Sequence, residues 1–335
     1  MKALSIISGS SHPQLADKIC SKLGTEKCKV VLNKFCNSET NIEICDSVRD
    51  MDVYIIQTSS NLVNKNFMEL AILIHACKMA SAQKVQKINV VTQGHIDDPW
   101  NRLNGVPLSE YQKEMLANLQ YSKESYKLWA SRSGKLVANI LSVAGADHLI
   151  TLDLHEPQFQ GFFDIPVDNL HSHNLVCLCI KENIENYGES VIVSPDAGGT
   201  KRASIISAKL GIEFAMIHRE KKANILIGDV AQRECILIDD LADSSNTIVM
   251  ASYLLKEKGA SKIYAVITHG IFSGDALQKI AASPLDVVYV SDSIPQDVHM
   301  QQCPKIKRFE VAQLFAEAIR RNHNGESVSM LFDDQ

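Results

Sequence analysis

The sequence predicts an α/β protein in which parallel sheets are flanked by helices. Two observations carry that class. Short runs that are apolar throughout, such as "VYIIQT" and "CILIDD", alternate with amphipathic windows of helical length, and a strand covered on both faces shows no polar alternation. The scheme occurs in both halves of a 335-residue chain, which is long enough for two domains of ordinary size.

In chain order the first half reads as a strand at "KALSII", a helix at "PQLADKICSKLG", a strand at "VYIIQT", a helix at "NFMELAILIHACKMA" and a strand at "KINVVTQ". The second half repeats the pattern with strands at "SVIVSPDAGG", "EFAMIH", "CILIDD" and "KIYAVITHG", separated by helices at "KRASIISAKLG" and "TIVMASYLLKEKG". The apolar runs are too short for helices, and the longer windows carry helical spacing.

Composition narrows the function. A hydrophobic content of 45% and a charged content of 22% describe a soluble globular chain. The net charge of -5 with scattered basic residues argues against a nucleic-acid binder, because phosphate backbones reward clustered Lys and Arg. No window approaches the ~18 apolar residues of a membrane span, so no membrane role is expected and the cytoplasm is the expected location. Nine cysteines form no C-x-x-C pair and read as free buried thiols. Cys177 and Cys179 alternate along an apolar stretch, with both thiols on one side.

In open parallel sheets ligands sit beyond the carboxyl ends of the strands. Four exits stand out: "LDLHEPQFQGFF", "SPDAGGTKR", "DDLADSSNT" and "THGIFSG". In the third, the chain is expected to leave its strand at Asp239 and Asp240, turn through Leu241 to Asn246, and start a helix with Ile248, Val249 and Met250 on one face. Ser244 to Thr247 then present successive N–H groups at a helix N-terminus, an anion cradle. The acid pair would repel a phosphate lying against it. A sugar phosphate resolves the conflict, with the acids on hydroxyls and the loop on phosphate; otherwise Asp243 or Ser244 caps the helix and the pair is solvated. In "SPDAGGTKR", Gly198 and Gly199 permit close backbone approach, Lys201 and Arg202 supply positive charge, and Asp196 is a candidate for Mg²⁺. His155, two residues after Asp153, reads as a ligand or as a structural histidine. Neither a G-x-x-x-x-G-K-[ST] loop nor G-x-G-x-x-G is present.

Together these segments, with "SGSSHPQLADKI", "KFCNSETNIEICDSVRDMDVYIIQT", "KLVANILSVAGADHLITLDLHEPQFQGFFDIPVDNL" and "EAIRRNHNGESVSMLF", closely resemble ribose-phosphate diphosphokinase, also called phosphoribosyl pyrophosphate synthetase. The resemblance covers nearly the whole chain and is greatest to the insertion-bearing fungal subunits, in which Tyr126 and Trp129 recur. It implies two phosphoribosyltransferase-like domains related by a pseudo-twofold: 1–165 with an insertion at about 93–134, then 166–305, and a C-terminal segment 306–335 packing back on the first. It also implies assembly into hexamers or similar rings, as a homo-oligomer or with paralogous subunits.

The family transfers the diphosphoryl group of ATP, a co-substrate, to the anomeric hydroxyl of ribose 5-phosphate. Carried onto this sequence, Asp239 and Asp240 bind the ribose hydroxyls while Asp243, Ser244, Ser245, Asn246 and Thr247 form the 5-phosphate loop. His155 and Asp196 hold Mg²⁺, with His155, Arg219 and Lys221 as catalytic groups. Phe35, Asn37 and Glu39 reach adenine in a neighbouring subunit's site, and Ser47, Arg49, Ser327 and Ser329 match an allosteric phosphate site.

Three departures bear on activity. The family's ATP-contacting Arg-Gln pair has no evident counterpart before the insertion, where Arg102 and Arg132 are the conceivable substitutes. The catalytic loop reads Arg219-Glu220-Lys221 in place of Lys-Glu-Arg, and Arg and Lys are not interchangeable at a phosphoryl transition state. Asn246 replaces the usual Gly of the phosphate loop, and Asn tolerates a left-handed backbone. Two readings follow: an active diphosphokinase subunit, or a catalytically weak regulatory or scaffold subunit.

Overall fold

The structure is a computed structural model that describes residues 3–58, 62–89, 133–219 and 224–331. Strands β1 (Leu4–Ser8), β2 (Val30–Lys34), β3 (Thr40–Ile44), β4 (Asp52–Gln57), β5 (Lys84–Asn89), β6 (His148–Leu152) and β7 (Val167–Leu170) occupy the first half. Helices α1 (Pro13–Leu23), α2 (Val63–Met79) and α3 (Ser133–Ala144) lie between them, and α4 (His173–Asn183) leads into the second half. There β8 (Val191–Ser194), α5 (Thr200–Leu210), β9 (Glu213–Arg219), β10 (Asn224–Ile227), β11 (Glu234–Ala242), α6 (Asn246–Glu257) and β12 (Lys262–Gly270) follow. The chain continues through α7 (Ala276–Ala282), β13 (Val287–Ser291), α8 (Asp297–Gln302), β14 (Ile306–Phe309) and α9 (Ala312–Asn324).

The strands form a five-stranded sheet in the order β1-β4-β5-β6-β7 and a seven-stranded sheet in the order β10-β9-β8-β11-β12-β13-β14, with β2 and β3 as a separate hairpin. All pairs in the first sheet are parallel. In the second only β10 on β9 is antiparallel. The central strands β4, β8 and β12 are buried along nearly their whole length, which is why their sequences show no alternation.

Helix α1 shows how the sequence sets an element. Pro13 opens it, the Nδ1 of His12 accepts the Leu15 N–H at 3.4 Å, and Gly24 closes it at φ 67°. Its apolar stripe of Leu15, Ala16, Ile19 and Cys20 packs against Phe315, Ala316 and Ile319 of α9. The end of the chain thus completes the core under the first sheet. Fully burying a side chain such as Phe315 contributes ~1.5–3 kcal/mol.

Three expectations are adjusted. Strand β11 does not end at Asp239 and Asp240 but runs on to Ala242, because Leu241 and Ala242 stay in register with His269 and Gly270 of the equally long β12. Strand β7 pairs with β6, so the chain stays with the first sheet through Leu170, past residue 165. Cys177 and Cys179 lie on helix α4 and are both buried, so helical packing and not strand alternation hides them. All nine cysteines are free. Among the described residues no helix is long and apolar enough to cross a membrane. The insertion at about 93–134 lies outside the described residues except for its last two.

Candidate active site

The carboxyl ends of the two sheets meet. His269, at the end of β12, bonds the Leu152 carbonyl of β6 through Nε2 at 2.9 Å and Ser293 Oγ through Nδ1 at 2.9 Å. Asp153 follows Leu152 in the left-handed region at φ 41° and is fully enclosed, with a side chain 0% exposed. Its Oδ2 accepts from Thr268 Oγ1 at 2.8 Å, from Ser172 Oγ, and from the Ser172 N–H at 3.3 Å. These bonds hold a backbone conformation that non-glycine residues seldom adopt. Burial alone would raise the Asp153 pKa, but the Arg202 charge and the bonds from His171 and Ser172 take it well below the ordinary carboxylate range.

Asp239 and Asp240 stand across this seam. The Asp240 N–H donates to Asp239 Oδ1 at 2.9 Å. Its Oδ2 lies 3.1 Å from His155 Nδ1 and 3.5 Å from the Arg202 guanidinium, which is itself 3.9 Å from Asp153. Burial opposes ionisation of Asp240, yet the His155 bond and the Arg202 charge hold its pKa at about 2. Asp239 goes the other way. Burial, then the charges of Asp240 and Asp196, push it well above the usual value. The pair is split, one acid compensated and the other short of positive charge. His155 is raised by its bond to Asp240, against burial.

Asp196 sits in the turn after β8, its Oδ1 accepting the Gly199 N–H at 3.0 Å and its carbonyl accepting Ser194 Oγ at 2.7 Å. A Cβ on Gly199 would lie 3.1 Å from Ser194 Oγ, so a side chain here would press on that hydroxyl. Beyond β11 the chain turns at Ser245, which takes φ 59° and precedes the first residue of α6. The left-handed position is therefore Ser245 and not Asn246, which is already helical and accepts from Lys279 Nζ at 2.9 Å. Ser245 Oγ is buried without a hydrogen-bond partner, an orphan that a ligand oxygen would satisfy.

The fold thus brings His155, Asp196, Asp239, Asp240 and the loop Asp243–Thr247 to one end of the sheets. Other expected residues lie elsewhere. Phe35, Asn37 and Glu39 occupy the exposed tip of the β2–β3 hairpin, where Asn37 Oδ1 accepts the Glu39 N–H at 3.1 Å. Ser327 and Ser329 bond each other through their hydroxyls, and among the described residues no hydrogen bond or ion pair joins them to the exposed Ser47 or Arg49. Arg219 is described only as the backbone end of β9; Lys221, Glu220, Arg102 and Arg132 lie outside the described residues. Arg202 was expected as a general positive charge, but it is committed to Asp153 and Asp240. No role was expected for Asp153, Ser172 or Thr268. The strand exits "LDLHEPQFQGFF" and "THGIFSG" contain Asp153 and Thr268, while Ser172 had no local signal.

Two parallel sheets meeting at their carboxyl ends, with an acid pair running into a helix-capping loop, define an α/β protein of the phosphoribosyltransferase-like kind. The model of the N-terminal domain of ribose phosphate pyrophosphokinase matches residues 4–92, and that of the phosphoribosyl synthetase-associated domain matches 223–333. Ribose-phosphate pyrophosphokinase 5 of Schizosaccharomyces pombe is 46% identical over 99% of this chain and 98% of its own length. The crystal structure of phosphoribosylpyrophosphate synthetase from Mycobacterium smegmatis superposes with a TM-score of 0.81 at 30% identity, covering 97% of this chain and 100% of that one. The chain belongs to the ribose-phosphate pyrophosphokinase family.

Proposed function

We propose that this protein transfers the diphosphoryl group of ATP to the anomeric hydroxyl of ribose 5-phosphate, giving phosphoribosyl pyrophosphate and AMP. The observation that carries the reading is the split acid pair at the mouth of the Asp243–Thr247 loop. Asp240, ionised and held by His155 and Arg202, accepts from one ribose hydroxyl, and Asp239 from the other. The N–H groups around Ser245 and the N-terminus of α6 receive the 5-phosphate, with Asp243, Ser244, Asn246 and Thr247 shaping the loop. Ser245 Oγ gains the partner it lacks.

The residues also fit Mg²⁺. Asp239, Asp240 and Asp196 bring more negative charge together than Arg202 balances, and Asp239 bears the deficit. Asp196 and His155 would hold the ion, which would supply positive charge to offset that of the phosphates. Arg219 and Lys221 supply the catalytic cations in this reading, with His155 in the same set. Phe35, Asn37 and Glu39, exposed on their hairpin, would complete a neighbouring subunit's adenine site, which requires a homo-oligomer or a hetero-oligomer with paralogues. Ser47, Arg49, Ser327 and Ser329 would take allosteric phosphate. We place the protein in the cytoplasm, in keeping with its free thiols. The two-domain division belongs to the same reading, with the chain returning to the first domain only after β14, whose residues 306–309 pair with β13 in the second sheet.

The test is AMP formation from ATP and ribose 5-phosphate by the purified chain with Mg²⁺, alone and after co-expression with its paralogues. Turnover that falls when Asn37 and Glu39 are changed to Ala supports the reading. Ribose 5-phosphate binding without AMP under either condition would leave only a regulatory or scaffold subunit.

A further inference from the structure

A second group of ligating side chains lies at the seam, gathered around Asp153. Asp153, His171 and His173 each turn one donor atom to within 4.8 Å of the others. The carboxylate is already oriented. Ser172 Oγ and Thr268 Oγ1 donate to Oδ2, which leaves Oδ1 turned toward the imidazoles, 3.4 Å from His171 Nδ1. The Ser172 N–H, also at 3.4 Å, and the Arg202 guanidinium at 3.9 Å are the other neighbours of Oδ1. An ion in tetrahedral geometry with bonds of about 2.1 Å keeps its donors about 3.4 Å apart. The edge between His171 and Asp153 is therefore already at coordination distance.

The remaining edges close by side-chain rotation. The two rings are parallel within 4° at 5.2 Å between centroids, and both histidines are half-buried and open to solvent on one side. The Ser172 and Thr268 hydroxyls hold the buried carboxylate in the orientation from which it can ligate beside the two imidazoles. Arg202 is the opposing charge. It also faces Asp240 at 3.5 Å, and so keeps a carboxylate partner when a cation takes Oδ1.

We propose that Asp153, His171 and His173 bind a divalent transition-metal ion of the zinc class, at a site separate from the one expected for Mg²⁺. Two imidazoles and one carboxylate suit Zn²⁺ or Co²⁺, whereas Mg²⁺ takes oxygen donors and retains water. With three protein donors the ion keeps an open position on the solvent side.

The full chain, stripped of metal by a chelator, is titrated with Co²⁺ and followed by visible absorption, then challenged with Zn²⁺. The expected result is stoichiometric uptake with ligand-field bands that Zn²⁺ abolishes. His171→Ala and His173→Ala each weaken Co²⁺ about a hundredfold or more, and Thr268→Val weakens it about tenfold. His155→Ala retains the bands. His171→Leu and His173→Leu are measured alongside, with circular dichroism as the check on folding. Absence of bands in the native chain, their survival in the folded double histidine variant, or their loss in His155→Ala would each overturn the assignment.

Discussion

Replacing Lys87 by Met should stabilise the protein, and by an amount that depends on pH. The lysine is 1% exposed in the middle of β5, between Ile55 of β4 and Leu149 of β6. It shares its face of the sheet with Val85, which packs into the cluster formed with α2. Burial lowers its pKa to about 7, whereas an unfolded lysine titrates near ~10.4. Between those values the unfolded chain carries a proton that the folded chain lacks. Stability therefore rises with pH across that window, and below it the folded state bears the full cost of a buried ammonium. The separation corresponds to ~5 kcal/mol at most, and at the effective dielectric of real protein interiors ~2 kcal/mol is the working figure. Methionine keeps the unbranched length without the charge. Urea denaturation of both chains, followed by circular dichroism at a series of pH values, should show the variant ahead by ~2 kcal/mol below neutrality. The gap should close as the pH approaches that of free lysine, and thiol ionisation, common to both chains, cancels in the difference. A variant less stable than the parent, or a gap that does not change with pH, would refute the reasoning.

Arg202→Leu removes the guanidinium charge beside the enclosed Asp153. The loss should be ~2–3 kcal/mol in denaturant midpoint at neutral pH, at the low end for a broken buried pair because the contacts are 3.5 and 3.9 Å. Since the folded pKa of Asp153 is depressed, its contribution is present above the unfolded carboxylate value and is lost as the pH falls, so the difference from the parent should shrink on acidification. Gly270→Ala puts a Cβ onto the ring of Phe272 and 2.5 Å from Val290 Cγ2, which should cost ~1–3 kcal/mol; an unchanged midpoint would mean the loop yields. Changing Asp239 to Asn and Asp240 to Ala together removes two acceptors, and calorimetry should show at least a ~tenfold weaker ribose 5-phosphate affinity.

The parts of this molecule that were legible in the sequence are those with a local cause. The apolar runs that became β4, β8, β11 and β12 show both-face burial directly, and the acids of "IDDLADSSNT" are read as a strand running into a helix from that stretch alone. The errors at its edges are also local in origin. Leu241 and Ala242 look like turn residues only until the length of β12 gives them partners. The left-handed backbone falls on Ser245 because the helix has already begun at Asn246, and serine carries no glycine-like warning of a positive φ.

What was not legible depends on contacts across the seam. The bond from Thr268 to Asp153 joins residues from different sheets, and no window of sequence contains both. The same holds for Arg202, whose helix follows β8 while its carboxylates end β6 and β11. A basic residue beside a glycine turn suggests an anion, yet here the nearest anions belong to the protein. This has a consequence for the site. With Arg202 occupied by two internal carboxylates, little of its charge is left for a phosphate, so in the proposed reading anion binding falls to the backbone N–H groups at the start of α6. Compensation of the acids falls to a cation from solution. The requirement for a divalent ion in this reading therefore follows from where the Arg202 guanidinium is committed, a fact that appears only once both sheets are in place.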